Sequence, residues 1–157
     1  MNTAVIYYSL SGKTDKVAKC IIEILTSRGE HADLIRLRPV KEETSFKRQC
    51  RDAFFAKKPE LIPTTTDLRK YNRIILGTPV WAFKPAPSIN TYINMCSSLD
   101  AKEAIVFATY GSGVGRNNTL KIMKKMLQTK GAHVTKEILI QGNEDQGIYR
   151  KRLENLL

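Results

Sequence analysis

Short runs of apolar, β-branched residues alternate along this chain with longer stretches whose apolar positions recur every three or four residues, and that alternation restricts the fold most. Ala4 to Tyr8 predicts a first strand, buried on both faces and ending at a Ser-Leu-Ser-Gly turn. From Lys13 to about Arg28, the spacing of Val17, Ala18, Ile21, Ile22 and Leu25 predicts a helix, with Gly29 placed to end it. Further strands are expected at Ala32–Leu37, Arg73–Leu76, Ala104–Ala108 and His133–Ile140. Ile89, Ile93 and Cys96 mark a helix that can start at Pro87. Leu120, Met123, Met126 and Leu127 mark another, and Tyr149, Leu153 and Leu156 mark the last. Strands separated by helices pair in parallel through right-handed crossovers, which gives an open α/β sheet covered on both sides.

At 157 residues the chain is expected to form a single domain over 1–157. Residues 39–70 are the exception to the alternation. There Pro39, Pro59 and Pro63 bracket a basic segment containing Phe46, Phe54 and Phe55, longer than a crossover needs. It reads as an extra helix with its aromatics packed inward, with a lid or docking surface as the alternative.

Several classes drop out on composition. Cys20, Cys50 and Cys96 are odd in number and lack CxxC spacing, so neither a disulfide framework nor a zinc ribbon is indicated, and a cytoplasmic location is expected. Cys20 and Cys96 sit on apolar helix faces as packing residues. Cys50 lies in a basic stretch that would lower its pKa, against the plainer expectation of a spectator thiol. No stretch approaches the ~20 apolar residues that span a bilayer, so membrane insertion is not expected. The net charge of +11 points to anionic partners. Nucleic acid is disfavoured among them, because no nucleic-acid-binding motif or aromatic-basic stripe accompanies the charge.

Ligands of open α/β sheets bind at the carboxyl ends of the strands, near the point where strand order reverses. Three loops qualify. Ser9-Leu10-Ser11-Gly12-Lys13-Thr14 opens directly into a helix, so backbone N–H groups and hydroxyls converge where an anion would sit; Ser11 or Thr14 acting only as a helix cap is the competing explanation. Gly77-Thr78-Pro79-Val80-Trp81-Ala82-Phe83 offers the sole tryptophan, suited to lining one side of a slot for a flat ring or, alternatively, to covering a sheet end. Thr109-Tyr110-Gly111-Ser112-Gly113-Val114-Gly115 supplies unencumbered backbone groups for the polar edge of a heterocycle.

Gly12-Lys13-Thr14 does not make a nucleoside-triphosphate loop, because that motif needs a glycine where Tyr7 stands, and GxGxxG does not fit either. A phosphorylated receiver would need acidic residues after the first strand to hold magnesium. No Ser-His-Asp or Cys-His set is readable, since His31 and His133 fall at predicted strand starts, away from the binding end, and no catalytic side chain or metal ligand is assigned.

Strand-Ser9-Leu10-Ser11-Gly12-Lys13-Thr14 resembles the flavodoxin phosphate signature, and Tyr71-Asn72-Arg73-Ile74-Ile75-Leu76-Gly77-Thr78-Pro79-Val80-Trp81 resembles the third-strand motif of flavodoxin-like proteins. The resemblance implies a flavodoxin-like doubly wound α/β fold: a five-stranded parallel sheet in order 2-1-3-4-5 with helices on both faces. It implies bound FMN and one- or two-electron transfer. Carried over by position, Ser9, Leu10, Ser11, Gly12, Lys13 and Thr14 would bind the phosphate. Thr78, Pro79, Val80, Trp81 and Ala82 would flank the isoalloxazine, and Thr109, Tyr110, Gly111, Ser112 and Gly113 would meet its pyrimidine edge.

Two departures stand out. Many flavodoxins carry a glycine in the loop after strand three, and residues 78–85 contain none. Carrier flavodoxins are commonly acidic, whereas this chain places Lys13, Lys84 and Arg116 on or beside the ligand loops, a field expected to stabilise reduced flavin and raise its potential. The leading expectation is an electron carrier that docks acidic redox proteins. The alternative is an enzyme whose flavin takes hydride from NAD(P)H and reduces a quinone.

Overall fold

Six strands and five helices follow one another as β1 (Asn2–Tyr7), α1 (Lys13–Ser27), β2 (His31–Arg36), α2 (Phe46–Phe54), β3 (Arg73–Trp81), β4 (Lys84–Pro85), α3 (Pro87–Met95), β5 (Glu103–Tyr110), α4 (Arg116–Thr129), β6 (His133–Gln141) and α5 (Gln146–Leu156). The computed structural model describes residues 1–157. Five strands lie in the path β2-β1-β3-β5-β6, each paired in parallel with its neighbours. The expected strand count of five is corrected to six, because the chain folds back after Trp81 and β4 pairs antiparallel with the end of β3.

Side chains of β1 and of Tyr8 just after it explain why both sheet faces are covered. Ala4, Ile6 and Tyr8 point into one core with residues of α3 and α4, while Val5 and Tyr7 point into another with residues of α1 and α5. Residues on both faces of a central strand leave water together, so it reads as a continuous apolar run. Helix α1 ends as the sequence suggests. At α1, Gly29 adopts φ +73°, its N–H bonds Thr26 O and the N–H of Glu30 bonds Leu25 O, which closes the orphaned carbonyls of the last turn. Gly131 does the same after α4, with bonds to Gln128 O and on to Leu127 O through Ala132 N–H.

The 39–70 segment does contain a helix, α2, but its aromatics are not packed inward. Phe46, Phe54 and Phe55 are 66%, 55% and 67% exposed, and the buried residues of α2 are Gln49 and Ala53. A two-turn helix has a narrow inward face, and here that face is filled by these two residues. The segment is tied down at its ends by isolated bridges, Pro39 to Leu61 and Asp67 to Ser97. No helix is long and apolar enough to cross a membrane.

Candidate cofactor site

The chain between β1 and α1 leaves its backbone donors open. Tyr8 N–H still bonds Gly77 O and Lys16 N–H bonds Gly12 O, but no backbone N–H from residue 9 through residue 15 donates to any protein acceptor. Gly12, the N-cap of α1, has φ +85° and supplies no side-chain cap, so the orphaned donors of the first turn stay open. Nothing lies within 4 Å of the position a Cβ would take on Gly12. Ser9 is 4% exposed, and its hydroxyl has no hydrogen-bond partner. A buried hydroxyl left unmatched costs about 1–3 kcal/mol, which a ligand oxygen would recover. Ser11 and Thr14 do not cap the helix through their side chains. Ser11 is exposed, and Thr14 Oγ1 sits 2.7 Å from Thr109 Oγ1, joining the first loop to the end of β5. Leu10 and Lys13 are also exposed. The aliphatic part of Lys13 lies over Gly142, where a Cβ would come within 2.6 Å of Lys13 Cδ. Beside it opens a cavity of about 460 Å³ lined by Ser11, Gly12, Lys13, Lys16 and Thr109 with the loop after β6.

The carboxylates bonded to Tyr7 and Tyr8, at the end of β1, are held in place. Asp15 accepts a hydrogen bond from the Tyr7 hydroxyl and pairs with Lys19 at 2.8 Å. Burial pushes the Asp15 carboxyl upward, but the bonds from Lys19 and Tyr7 and the charges of Lys19 and Arg36 outweigh it and hold the group below the usual range. The Tyr7 and Tyr8 hydroxyls are pushed well above the ordinary phenol range, first by burial and then by their bonds to Asp15 and Glu42.

The second expected loop differs from its sequence reading. Thr78, Pro79, Val80 and Trp81 belong to β3, which runs five residues beyond Leu76 because the hairpin with β4 continues the ladder. Thr78 is fully buried; its hydroxyl accepts from Ala86 N–H at 2.9 Å and donates to Pro79 O, so it braces the hairpin. Trp81, 7% exposed, meets the Tyr8 ring edge-on, with centroids 5.4 Å apart and planes at 82°. One side of the indole thus packs on Tyr8.

The turn itself is made by Ala82 and Phe83, both at positive φ, +45° and +66°. Two-residue hairpins favour this geometry, which asparagine and glycine adopt readily and β-carbon-bearing residues only with strain. The surroundings hold it: Asn118 Nδ2 donates to Phe83 O at 2.9 Å, and a Cβ on Gly115 would lie 2.6 Å from Phe83 Cα. Phe83 is thereby left 51% exposed beside the third loop.

Thr109 and Tyr110 form the end of β5, and Gly111, Ser112 and Gly113 follow it as an open turn. Arg116 stacks on the Tyr110 ring, 4.8 Å from its centroid. Lys84 donates to Phe54 O and lies 5.1 Å from the Phe54 centroid, so two of the three expected cations are engaged locally. Cys50 fits the spectator thiol rather than the activated one, since burial raises its thiol pKa and the bond from the Ala82 backbone only partly offsets this. His31 and His133 begin β2 and β6, at the end of the sheet opposite the loops. Tyr8 is the residue that periodicity did not single out: it reads as the last position of an apolar strand, yet it joins Trp81 to Glu42.

A family model described as flavodoxin matches residues 2–147. The chain belongs to the flavodoxin family. No curated protein sequence matches it. Among solved structures, the chain is similar to a protein of Bacteroides uniformis named provisionally as a flavoprotein, at 24% identity and TM-score 0.80, over 99% of this chain and 96% of that one. It is also similar to oxidised flavodoxin 1 from Bacillus cereus, at 19% identity and TM-score 0.71, over 99% and 94%. A flavoprotein from Lactobacillus acidophilus NCFM, solved in complex with FMN, matches at 21% identity and TM-score 0.68, over 88% and 92%. At these identities the structures establish the fold, and membership of the family supports FMN as the cofactor.

Proposed function

We propose that this chain binds FMN across the three loops and passes electrons between redox proteins. The observation that carries the proposal is the open row of N–H groups from residue 9 to residue 15, with the unpartnered Ser9 hydroxyl buried beneath it. A phosphate at the head of α1 would meet these donors and the positive end of the helix together. Ser9, Leu10, Ser11, Gly12, Lys13 and Thr14 would hold it, with Thr109 fixing the Thr14 hydroxyl. Pro79, Val80, Trp81, Ala82 and the exposed Phe83 would border the ring on one side, and Tyr110, Gly111, Ser112 and Gly113 on the other.

FMN supplies the exchange of one or two electrons; the protein supplies position and field. Lys13, Lys84 and Arg116 surround the site with positive charge, which favours the electron-rich reduced cofactor. The same field, with Phe54, Phe55 and Phe83 exposed on the same end of the molecule, suits an acidic redox partner. The test is a visible spectrum of the protein reconstituted with FMN, followed by reduction in two ways. Rapid exchange with a reduced partner protein and no steady NAD(P)H oxidation is the outcome expected. Steady NAD(P)H oxidation by the purified protein alone would make it an oxidoreductase, with a quinone-type acceptor the first to try.

A further inference from the structure

A second cavity, about 260 Å³, has Trp81 in its wall. It is roofed by the segment after β2 and floored by the ends of β1 and β3 and the start of α3. Of the three cofactor loops only Trp81 lines it; no residue from 9–14 or 109–115 does. Its volume falls below the range of about 300–1,000 Å³ that holds drug-sized ligands, so it suits a one-ring molecule.

Its walls specify the chemistry. Tyr8 and Trp81 present aromatic surface, and Pro39, Pro59 and Pro87 add rigid apolar surface, which suits a flat ring. The polar end is at α3. Pro87 occupies the first turn without an N–H, and Ser88, only 3% exposed, lines the cavity with neither its backbone N–H nor its hydroxyl donating to the protein. These donors and the positive end of α3 point to an anion.

The charges around the rim agree. Glu43 is met by Arg48 at 3.7 Å and Ser45 N–H at 2.9 Å, Asp52 by Lys57 at 2.8 Å and Arg51 at 3.2 Å, and Glu42 by the Tyr8 hydroxyl. Lys41 and Lys58 line the same cavity with no carboxylate partner. From the buried, unpartnered Ser88 at the head of α3, the aromatic walls and the two free lysines, we infer that this cavity binds a small aromatic monocarboxylate, with its carboxylate at Ser88 and its ring against Trp81 and Tyr8. The inference does not require FMN to be the cofactor.

Benzoate is the probe. Calorimetric titration of the protein, without added FMN and again with FMN present in excess, should show one saturable site in both, and benzyl alcohol, the neutral analogue, should bind at least ~10-fold more weakly, as loss of a charge-assisted hydrogen bond implies. Ser88→Ala and Lys58→Gln should each weaken benzoate several-fold, while FMN affinity, read separately by absorbance, stays unchanged. The benzoate and benzyl alcohol comparison needs no variant, so it holds whether or not Ser88→Ala folds. Absence of saturable binding, equal affinity for the two probes, or indifference to both substitutions would overturn the inference. Competition between benzoate and FMN would overturn it too, by making the cavity part of the flavin's own site.

Discussion

Single residues decide how closely the layers approach. Gly77 faces the Phe107 ring across β3 and β5, and any Cβ there would overlap ring carbons. The motif glycine is therefore a packing residue, and Gly77→Ala should destabilise the fold by roughly 1–3 kcal/mol, read as a lower urea midpoint with an unchanged slope. Asp15 makes a second test. Its folded pKa is depressed, so it contributes stability that is fully present above the unfolded carboxyl pKa and is lost as pH falls through the folded value. Asp15→Asn should thus lower stability at neutral pH and flatten its fall below about pH 4. An acid-unfolding curve of unchanged steepness would contradict the assigned pairing. Thr78 shows what residue type alone does not reveal. A threonine beside a ligand loop looks like a donor to ligand, but only the fold-back of β4 shows its hydroxyl spent on Ala86 N–H.

At the level of elements, all five long strands and the four helices carrying clear apolar stripes are legible in the sequence, because burial on one or two faces imposes a period that composition cannot hide. The β3–β4 hairpin is not. Its turn is Ala82-Phe83, which lacks the glycine or asparagine that announces such turns, and its conformation is held by Gly115 and Asn118 more than thirty residues away. Ala82→Gly should accordingly stabilise the protein by up to about 1 kcal/mol by relieving the positive φ, measured as a raised Tm. The α2 aromatics were illegible for a related reason: three phenylalanines in a basic segment signal burial by type, but a two-turn helix cannot turn all of them inward. The geometry of the first loop was legible, since its open backbone N–H groups follow from strand, glycine and helix in succession.

Across the whole molecule, the net charge of +11 sets the redox behaviour expected of a bound flavin. Positive charge around the proposed site would stabilise the reduced cofactor, and mobile ions screen such a field over about 10 Å at 0.1 M salt. The midpoint potential of the FMN-loaded protein should fall as salt rises from about 0.02 M to about 0.5 M. A potential indifferent to salt would assign the basic surface to some other task.

The phosphate loop can be tested directly by comparing FMN with riboflavin, which carries the same ring and side chain without the phosphate. If the amides and hydroxyls of residues 9–15 hold that group, FMN should bind at least ~100-fold more tightly than riboflavin, about 2.7 kcal/mol. Replacing Ser9, Ser11 and Thr14 together by alanine should remove most of this difference by weakening FMN alone. Equal affinities for the two flavins, or a preference for FMN that survives the triple replacement undiminished, would contradict the account.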